Sequence, residues 1–365
     1  MKPLEASFGW SRTEVYASST AFSFTLALSG LISGRLVDHF GVRSIILVST
    51  LASVAAFWAL SVAGDDLSLY ILVCMSVALV AGGTSAVPYI RLILTWFDRS
   101  RGMAIGITIV GTGLTGAIVP PVLAAVIEHG SWRNGYQLLA LFALIPLPLM
   151  LIWGKEFMRD VDTRSAKTHV TGVTLREAIR QLRFWIMAIV LLIAGASVAG
   201  LIPHLVPMLE EFGLTAQSAG TMVGILGVSV IGGRLLTGWM LDRLFAPYVG
   251  ALIFAVAAAG WFGLYSLGSG FALTTLLMIG FTVGAEVDLA GYMVARYFGM
   301  KNYGTIFGIQ YGIFSIGCAL APSIAAHLYS SFNGYQPVLM VTIVLLLLNI
   351  PLILCLGAYP PAYDH

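Results

Sequence analysis

Eleven long, almost uninterrupted apolar runs constrain this sequence more than any other feature. Crossing a bilayer as a helix takes about 20 mostly apolar residues, and each run is close to or above that length. A membrane β-barrel would instead show shorter segments in which apolar and polar residues alternate. The runs therefore predict an all-α integral membrane protein with 11 transmembrane helices. The predicted spans are Val15–Ile32, Ser44–Ala63, Leu67–Leu94, Gly102–Ile127, Tyr136–Trp153, Phe184–Met208, Gln217–Met240, Tyr248–Leu267, Phe271–Arg296, Thr305–Leu328 and Pro337–Leu356.

The composition agrees with lipid as the main solvent. Of the 365 residues, 58% are hydrophobic and 10% are charged, and the mean hydropathy is +0.92. Soluble domains are about 45–50% apolar and about 25% charged. A net charge of +2 without a basic, aromatic-interleaved stripe argues against nucleic-acid binding. Because Cys74, Cys318 and Cys355 all lie in apolar runs, neither a disulfide scaffold nor a metal site is expected.

The positive residues predict which end of each span faces the cytoplasm, since loops on that side carry an excess of Lys and Arg. With 11 crossings, 14 of the 19 Lys and Arg residues fall on one side, which we assign to the cytoplasm, and the carboxyl terminus falls there too. Lys2, Arg12 and Arg133 fall on the other side. The cytoplasmic set is Arg35, Arg43, Arg99, Arg101, Lys155, Arg159, Arg164, Lys167, Arg176, Arg180, Arg183, Arg243, Arg296 and Lys301.

One long polar stretch divides the spans into five and six. It predicts a half-bundle over 1–154, a cytoplasmic linker over 155–183 and a second half-bundle over 184–365. Within the linker, Thr174 and Glu177 have the spacing of a helix capping box. The favoured interpretation is a tether; the alternative is a regulatory helix on the membrane surface. In that alternative, Val173, Ile179 and Leu182 face the membrane, and Arg176, Arg180 and Arg183 face lipid head groups.

The two halves repeat each other. Phe8-Gly9 followed by Ser11 recurs 204 residues later as Phe212-Gly213 followed by Thr215, and Gly34 and Asp38 recur at the same offset as Gly238 and Asp242. Ser11 and Thr215 are both good helix N-caps. At an offset near 202, Gly102, Gly106 and Pro120 match Gly304, Gly308 and Pro322. A parallel repeat of this kind is typical of secondary transporters.

The segment Gly34-Arg-Leu-Val-Asp38-His-Phe-Gly41-Val-Arg43 resembles the loop motif between the second and third helices of the major facilitator superfamily. Gly238-Trp-Met-Leu-Asp242-Arg243 is the second-half form. The segments at 8–12, 96–104, 284–288 and 296–299 are similar to those of the bacterial monocarboxylate-porter and oxalate–formate-antiporter branch. The resemblance implies two pseudo-symmetric half-bundles. The family has 12 helices, so we expect this chain to lack the first.

Arg234 is the main candidate for a substrate-binding residue. A lone arginine in a bilayer costs at least about 2.5–3.5 kcal/mol, so it should face a cavity or a partner. Its planar fork suits a carboxylate. The resemblance implies that the arginine before the loop motif binds the substrate anion, although the family's acid one turn earlier is Val230 here. The alternative is that Arg234 reaches the cytoplasmic surface. Arg91 could add positive potential to the cavity, reach that surface or pair with Asp38.

Glu286 and Asp288 are the acids deep in a span. Two residues apart on a helix is about 200° of rotation, so they cannot both face one cavity. Either could be the proton-coupling site or pair with Arg234, and a purely structural hydrogen-bonded pair is the alternative. The resemblance also implies that Tyr89, Gln310 and Tyr311 line the substrate cavity.

The repeated Gly-x-x-x-Asp pattern predicts a gate at the cytoplasmic loops. A carboxylate near helix ends can pair with arginines and favour one packing of the half-bundles, and breaking those pairs would release it. The alternative is a solvated turn. The predicted gating residues are Gly34, Asp38, Arg43, Gly238, Asp242 and Arg243.

Gly111-Thr-Gly113-Leu-Thr-Gly116 matches a dinucleotide-binding pattern but lies inside a predicted span instead of between a strand and a helix. No nucleotide, metal or cofactor is therefore expected, and the protein is not expected to be an enzyme.

The apolar spans, the internal repeat and the charged residues within the spans together predict a carrier in the bacterial cytoplasmic (inner) membrane. It would move a small mono- or dicarboxylate with a proton or against a counter-anion. The alternatives are a drug or sugar exporter of the same family and a truncated, non-transporting membrane protein.

Overall fold

A computed structural model describes residues 4, 7–97, 100–153 and 172–360. The described residues are almost entirely helical. We number the α-helices in chain order as α1 Arg12–Phe40, α2 Val42–Ser61, α3 Leu67–Ala81, α4 Ala86–Trp96, α5 Arg101–His129, α6 Trp132–Ala143, α7 Pro146–Trp153, α8 Leu175–Ala178, α9 Leu182–Ser197, α10 Leu205–Glu211, α11 Ala216–Leu241, α12 Ala246–Leu267, α13 Ala272–Phe298, α14 Tyr303–Phe332 and α15 Gln336–Leu354.

Within these residues, eight segments are long and apolar enough to cross a membrane. One of them, Ala246–Phe298, holds two helices, α12 and α13, which are separated by a 3-10 turn that begins at Gly268 with φ 61°. Helices α1 and α5, of 29 residues each, lie at two further predicted spans. The all-helical membrane architecture is confirmed, and the total of 11 crossings stays a prediction.

Three predicted spans are interrupted helices. The run at 67–94 breaks at the 3-10 turn Gly82–Thr84, the run at 136–153 breaks before Pro146, and the run at 184–208 passes through the 3-10 segment Ala199–His204, which contains Pro203. Glycine and proline keep a run apolar while they weaken or remove helix hydrogen bonds, so hydropathy alone does not reveal such breaks.

The expected cytoplasmic loop after the first span is a single residue, which corrects the placement of Asp38 and Arg43 in a loop. Helix α1 continues to Phe40, Gly41 makes the turn with φ 81°, and α2 begins at Val42. Asp38 therefore lies in the last turn of α1 and Arg43 in the first turn of α2. The apolar run ends before the helix does because the last two turns of α1 contain Arg35, Asp38 and His39.

The halves are packed around different helix pairs and meet along two seams. In the amino-terminal half, α1 packs on α3 and α2 on α6. In the carboxyl-terminal half, α11 packs on α13, α12 on α15 and α9 on α14. Between the halves, α1 packs along α14, which we call the first seam, and α5 packs along α11, which we call the second seam.

The sequence repeat has matching local structure. Gly9 and Gly213 both adopt positive φ, 68° and 95°, just before α1 and α11. The predicted caps are confirmed, since the Ser11 side chain accepts from the Glu14 N–H and the Thr215 side chain accepts from the Ser218 N–H. Each helix therefore starts from the same turn.

The end of the linker is attached to the carboxyl-terminal half. Gly172 forms an antiparallel bridge with Gly299, and the Val173 N–H donates to the Phe298 carbonyl at 2.9 Å. The predicted capping box at Thr174 and Glu177 is present. Residues 154–171, which hold four of the predicted cytoplasmic cations, lie outside the described residues.

Candidate functional site

The Asp38 carboxylate crosses the first seam and caps a helix of the opposite half. It accepts the N–H of Gly304 at 3.0 Å and both the N–H and the hydroxyl of Thr305 at 2.6 Å. Arg91 of its own half also forms an ion pair with it. These groups lie at the N-terminus of α14, where unpaired N–H groups and the helix dipole favour an anion. Asp38 thus joins the halves through charge-assisted bonds.

Asp242 makes the reciprocal contact across the second seam. As the C-cap of α11, it accepts the N–H groups of Gly102 at 2.6 Å and Met103 at 2.9 Å, at the N-terminus of α5. The two aspartates related by the repeat therefore cap the two helix starts that the repeat also relates. We call them the Asp38 clamp and the Asp242 clamp.

Glycines bring the helix backbones together at both clamps. A Cβ built on Gly34 would lie 2.8 Å from the Gly304 carbonyl carbon, and one on Gly238 would lie 2.9 Å from the Gly102 carbonyl carbon. Real Cβ atoms do not approach that closely. Glycine at these positions is therefore what allows each aspartate to reach the opposite helix.

The two predicted gating arginines have other contacts. Arg43 donates through Nη2 to the Leu151 carbonyl of α7 at 3.0 Å, and Arg243 donates through Nη1 to the Trp239 carbonyl at 3.2 Å. The Arg243 guanidinium also lies 4.5 Å from the Trp239 ring centroid. The partner of Asp38 is Arg91, one of the three possibilities expected for that arginine.

Arg234 and Asp288 form a buried ion pair deeper along the second seam. Arg234 Nη1 lies 2.8 Å from Asp288 Oδ1, and the two side chains are 8% and 0% exposed. Gly106 of α5 covers the pair, since a Cβ there would lie 2.7 Å from the Arg234 carbonyl oxygen and 3.7 Å from Asp288 Oδ2. The pair is therefore enclosed where the two halves meet, about 12 Å along α11 from Asp242 at 1.5 Å per residue.

Each member of the pair keeps unused hydrogen-bonding capacity. Among the described residues, neither Arg234 Nε nor Asp288 Oδ2 has a hydrogen-bond partner, although both atoms are buried. Buried polar groups are normally hydrogen-bonded. The geometry therefore leaves donors on Arg234 that a further carboxylate could use.

Glu286 lies in a different environment from Asp288. It is 1% exposed, and neither carboxylate oxygen has a hydrogen-bond partner among the described residues. Electrostatically it interacts with Arg234 and with the Cys318 thiol of α14. Burying a carboxylate without a hydrogen-bond partner is costly, so Glu286 is a candidate for a role beyond packing.

The three predicted cavity residues are not brought together. Tyr89 is half-buried and packs with the cluster around Val37 and Ile46 in the amino-terminal half. Gln310 is fully buried and donates to the Phe184 carbonyl at 3.0 Å, which ties α14 to α9. Tyr311 lies at the first seam, where its Cδ1 is 3.4 Å from a Cβ built on Gly30.

A separate cavity of about 430 Å³ lies in the amino-terminal half and is mostly apolar. Tyr70 and Tyr136 line it, and their hydroxyls form a hydrogen bond of 2.6 Å. None of the predicted substrate-binding residues lines it.

Several contact residues were not predicted. Thr305 and the backbone N–H groups of Gly102, Met103 and Gly304 complete the clamps, and Gly106 covers the ion pair. The repeat that relates Gly102 and Gly106 to Gly304 and Gly308 was the available signal. It marked these glycines as equivalent but did not indicate their partners.

Comparison with known proteins gives one consistent result. The model of the Major Facilitator Superfamily matches residues 1–288. The uncharacterized MFS-type transporter YhjX of Escherichia coli is 24% identical over 315 residues, covering 82% of this chain and 76% of the relative. Human monocarboxylate transporter 12 is 23% identical over 346 residues, covering 84% of this chain and 65% of the relative. The crystal structure of the transporter FucP in the outward conformation superposes with a TM-score of 0.76 at 12% identity, covering 98% of this chain and 93% of that one.

Proposed function

The chain belongs to the Major Facilitator Superfamily, and we propose that it is a secondary transporter of small organic anions. The observation that carries this proposal is the buried Arg234–Asp288 pair, enclosed where the two halves meet. The expected substrate is a mono- or dicarboxylate, moved with a proton or exchanged for another anion. Similarity to proteins named monocarboxylate transporters supports the same substrate class.

Arg234 is the proposed substrate anchor. A guanidinium binds a carboxylate through two parallel N–H···O bonds, which a lysine ammonium does not reproduce. In this structure only one contact with Asp288 is made, and Nε has no partner among the described residues. A substrate carboxylate could therefore replace Asp288 at Arg234 without a change in the charge of the arginine.

That replacement would couple the anion to a proton. Once substrate holds Arg234, Asp288 is a buried carboxylate without a counter-charge, and a proton is the simplest group that neutralises it. One monocarboxylate and one proton would then cross together without net charge. Glu286, which already lacks a partner among the described residues, is the second proposed proton-carrying acid.

The clamps are the proposed gate at the predicted cytoplasmic end. Five hydrogen bonds from helix starts to Asp38 and Asp242 hold α14 and α5 against the opposite half. We take the structure to be closed at that end, as the similarity to FucP in the outward conformation supports. Alternating access would break these bonds and separate α5 from the Arg234–Asp288 pair.

The substrate class is tested with purified protein in proteoliposomes. Uptake is measured for a short monocarboxylate, a short dicarboxylate and a neutral hexose, with and without an inward proton gradient. We expect carboxylate uptake that the gradient stimulates and no hexose uptake. Hexose uptake with no carboxylate uptake would instead identify a sugar carrier of the same fold.

The anchor is tested by direct binding of a transported carboxylate. Arg234→Lys should lose most binding while expression persists, and Arg35→Lys, at an exposed position on α1, is the matched control. Parent-like affinity in both Arg234→Lys and Arg234→Gln would exclude Arg234 as the anchor. Arg91 would then be the next candidate.

The proton role is tested by separating exchange from accumulation. Glu286→Gln removes the titratable group and keeps the shape of the side chain, so carboxylate exchange should persist while gradient-driven accumulation falls. Unchanged accumulation in Glu286→Gln would leave Asp288 as the proton site. Asp288→Asn is expected to lower stability as well, because breaking a buried ion pair costs about 3–5 kcal/mol.

A further inference from the structure

A continuous apolar stripe runs along the outside of the carboxyl-terminal half at the start of its first span. Ile179, Leu182, Trp185 and Ile189 are 41%, 73%, 52% and 46% exposed. Leu182, Trp185 and Ile189 are three and four residues apart and lie on one face of α9. Ile179 lies in the turn that precedes this helix. In a membrane-spanning half-bundle, such a face contacts lipid.

Trp185 indicates the depth of this face. Its indole N–H donates to the Ile179 carbonyl at 2.9 Å, while the ring stays half-exposed. Tryptophan is enriched at membrane–water interfaces, where its ring contacts acyl chains near the head groups. The residues just before Ile179 therefore lie at the level of the lipid phosphates.

Two arginines lie at the level of the lipid phosphates. Arg176 and Arg180 are exposed, and neither forms an ion pair among the described residues. Arg176 lies in α8, and Arg180 lies in the turn that follows it. Arg183, expected beside them, instead turns inward, with its guanidinium 5.5 Å from the Tyr297 ring centroid.

The carboxylate between them is already engaged. Glu177 Oε2 accepts the Thr174 N–H at 2.7 Å in the capping box, and Lys301 interacts with Glu177 electrostatically. The surface around Arg176 and Arg180 is therefore positive. Because the linker end is bonded to Phe298, this surface keeps a defined position on the half-bundle.

We propose that Arg176 and Arg180 bind the phosphate of an anionic phospholipid, whose acyl chains lie along Ile179, Leu182 and Trp185. The lipid belongs to the leaflet at the predicted cytoplasmic side, where anionic head groups attract basic residues next to spans. The site is separate from the Arg234–Asp288 pair and is independent of the transported substrate.

The test uses quenching of Trp185 by brominated lipid. The protein is placed in phosphatidylcholine vesicles with increasing fractions of phosphatidylglycerol that carries bromine on its acyl chains. The Trp185 signal is the difference between the parent and Trp185→Phe. We expect this signal to be quenched at phosphatidylglycerol fractions below those that random mixing requires.

The variant Arg176→Gln/Arg180→Gln should need about thirtyfold more phosphatidylglycerol for the same quenching. Arg35→Gln/Arg101→Gln removes the same charge from the predicted cytoplasmic side of the other half and should leave the quenching curve unchanged. Equal effects of the two double variants, or parent quenching no stronger than random mixing, would overturn the proposal. Loss of quenching on addition of inorganic phosphate would identify a free-phosphate site and would also overturn it.

Discussion

The two seams carry related sequences but different contacts. Asp38 accepts two backbone N–H groups, a threonine hydroxyl and an arginine, whereas Asp242 accepts two backbone N–H groups. Along the second seam, however, the buried Arg234–Asp288 pair lies beneath Gly106. The first seam therefore has the stronger clamp, and the second seam holds the proposed binding site. The two seams therefore share the capping of a helix start by an aspartate and differ in their charged partners.

The largest expected effect is the difference between disrupting the Asp38 clamp and disrupting the Asp242 clamp. Asp38→Asn removes charge-assisted bonds and leaves Arg91 without its carboxylate, at a cost of about 3–5 kcal/mol for a broken buried pair. Asp242→Asn weakens two backbone bonds and should cost about 2 kcal/mol. Pulsed-EPR distances between spin labels at Arg35 and Lys301 would measure opening of the first seam. Asp38→Asn should open it at least about fivefold more than Asp242→Asn does, since the two costs differ by about 1 kcal/mol or more. Equal opening would show that Arg91 adds nothing to the clamp.

The next largest effect tests the close glycine contacts that both seams have. Gly34→Val or Gly238→Val places a side chain against backbone, and overpacking of this kind costs about 1–3 kcal/mol. Both should shift the same spin-label distances towards separation by similar amounts. Gly224→Val is the control on α11, because a Cβ at Gly224 meets nothing within 4 Å. Comparable opening by Gly224→Val would mean that the close glycine contacts do not set the closed state.

A smaller effect tests the hydroxyl that only the Asp38 clamp has. Thr305→Val keeps the side-chain shape and removes the hydroxyl bond to Asp38, with an expected loss of about 1 kcal/mol in the closed state. Thr305→Ser should recover most of it. The spin-label populations of the three proteins give the comparison, and identical populations in Thr305→Val and the parent would contradict it.

The smallest effect concerns the linker that joins the halves. The bonds from the backbone and hydroxyl of Thr174 lower the pKa of Glu177 below its usual 4.5. A lowered folded-state pKa gives stability that is present above 4.5 and is lost as pH falls through the folded value. Amide exchange at 174–178 should therefore accelerate as the pH falls below 4.5. Glu177→Gln should show fast exchange with little pH dependence beyond the intrinsic rate, whereas a parent-like profile would exclude the capping box as its cause.

Much of the fold could be predicted from local sequence. Apolar run length predicted the helices, and the caps at Ser11, Thr174 and Thr215 follow from residues within one turn. Breaks such as the one near Pro203 and the helical extension to Asp38 were not predicted. Hydropathy reports the solvent around a residue, whereas these features depend on which helix packs beside it.

The candidate site was predicted only in part for a similar reason. Arg234 needed a partner because a lone charge in lipid is costly, and Asp288 was one of two acids that could supply it. A rotation of about 200° between Glu286 and Asp288 established that they face different ways. Which of them faces α11 depends on how α13 is turned against its neighbours, and the sequence does not contain that angle explicitly.

By itself, the sequence determined the membrane-spanning character, the family and the repeat that pairs Asp38 with Asp242, since these follow from composition and short-range spacing. The tertiary structure decided that Asp38 caps α14, that Asp242 caps α5 and that Asp288, not Glu286, forms the ion pair with Arg234. The clamp partners lie between 139 and 267 residues apart in the chain. Contacts over that separation depend on the crossing geometry of whole helices, so only the folded arrangement of the two halves specifies them.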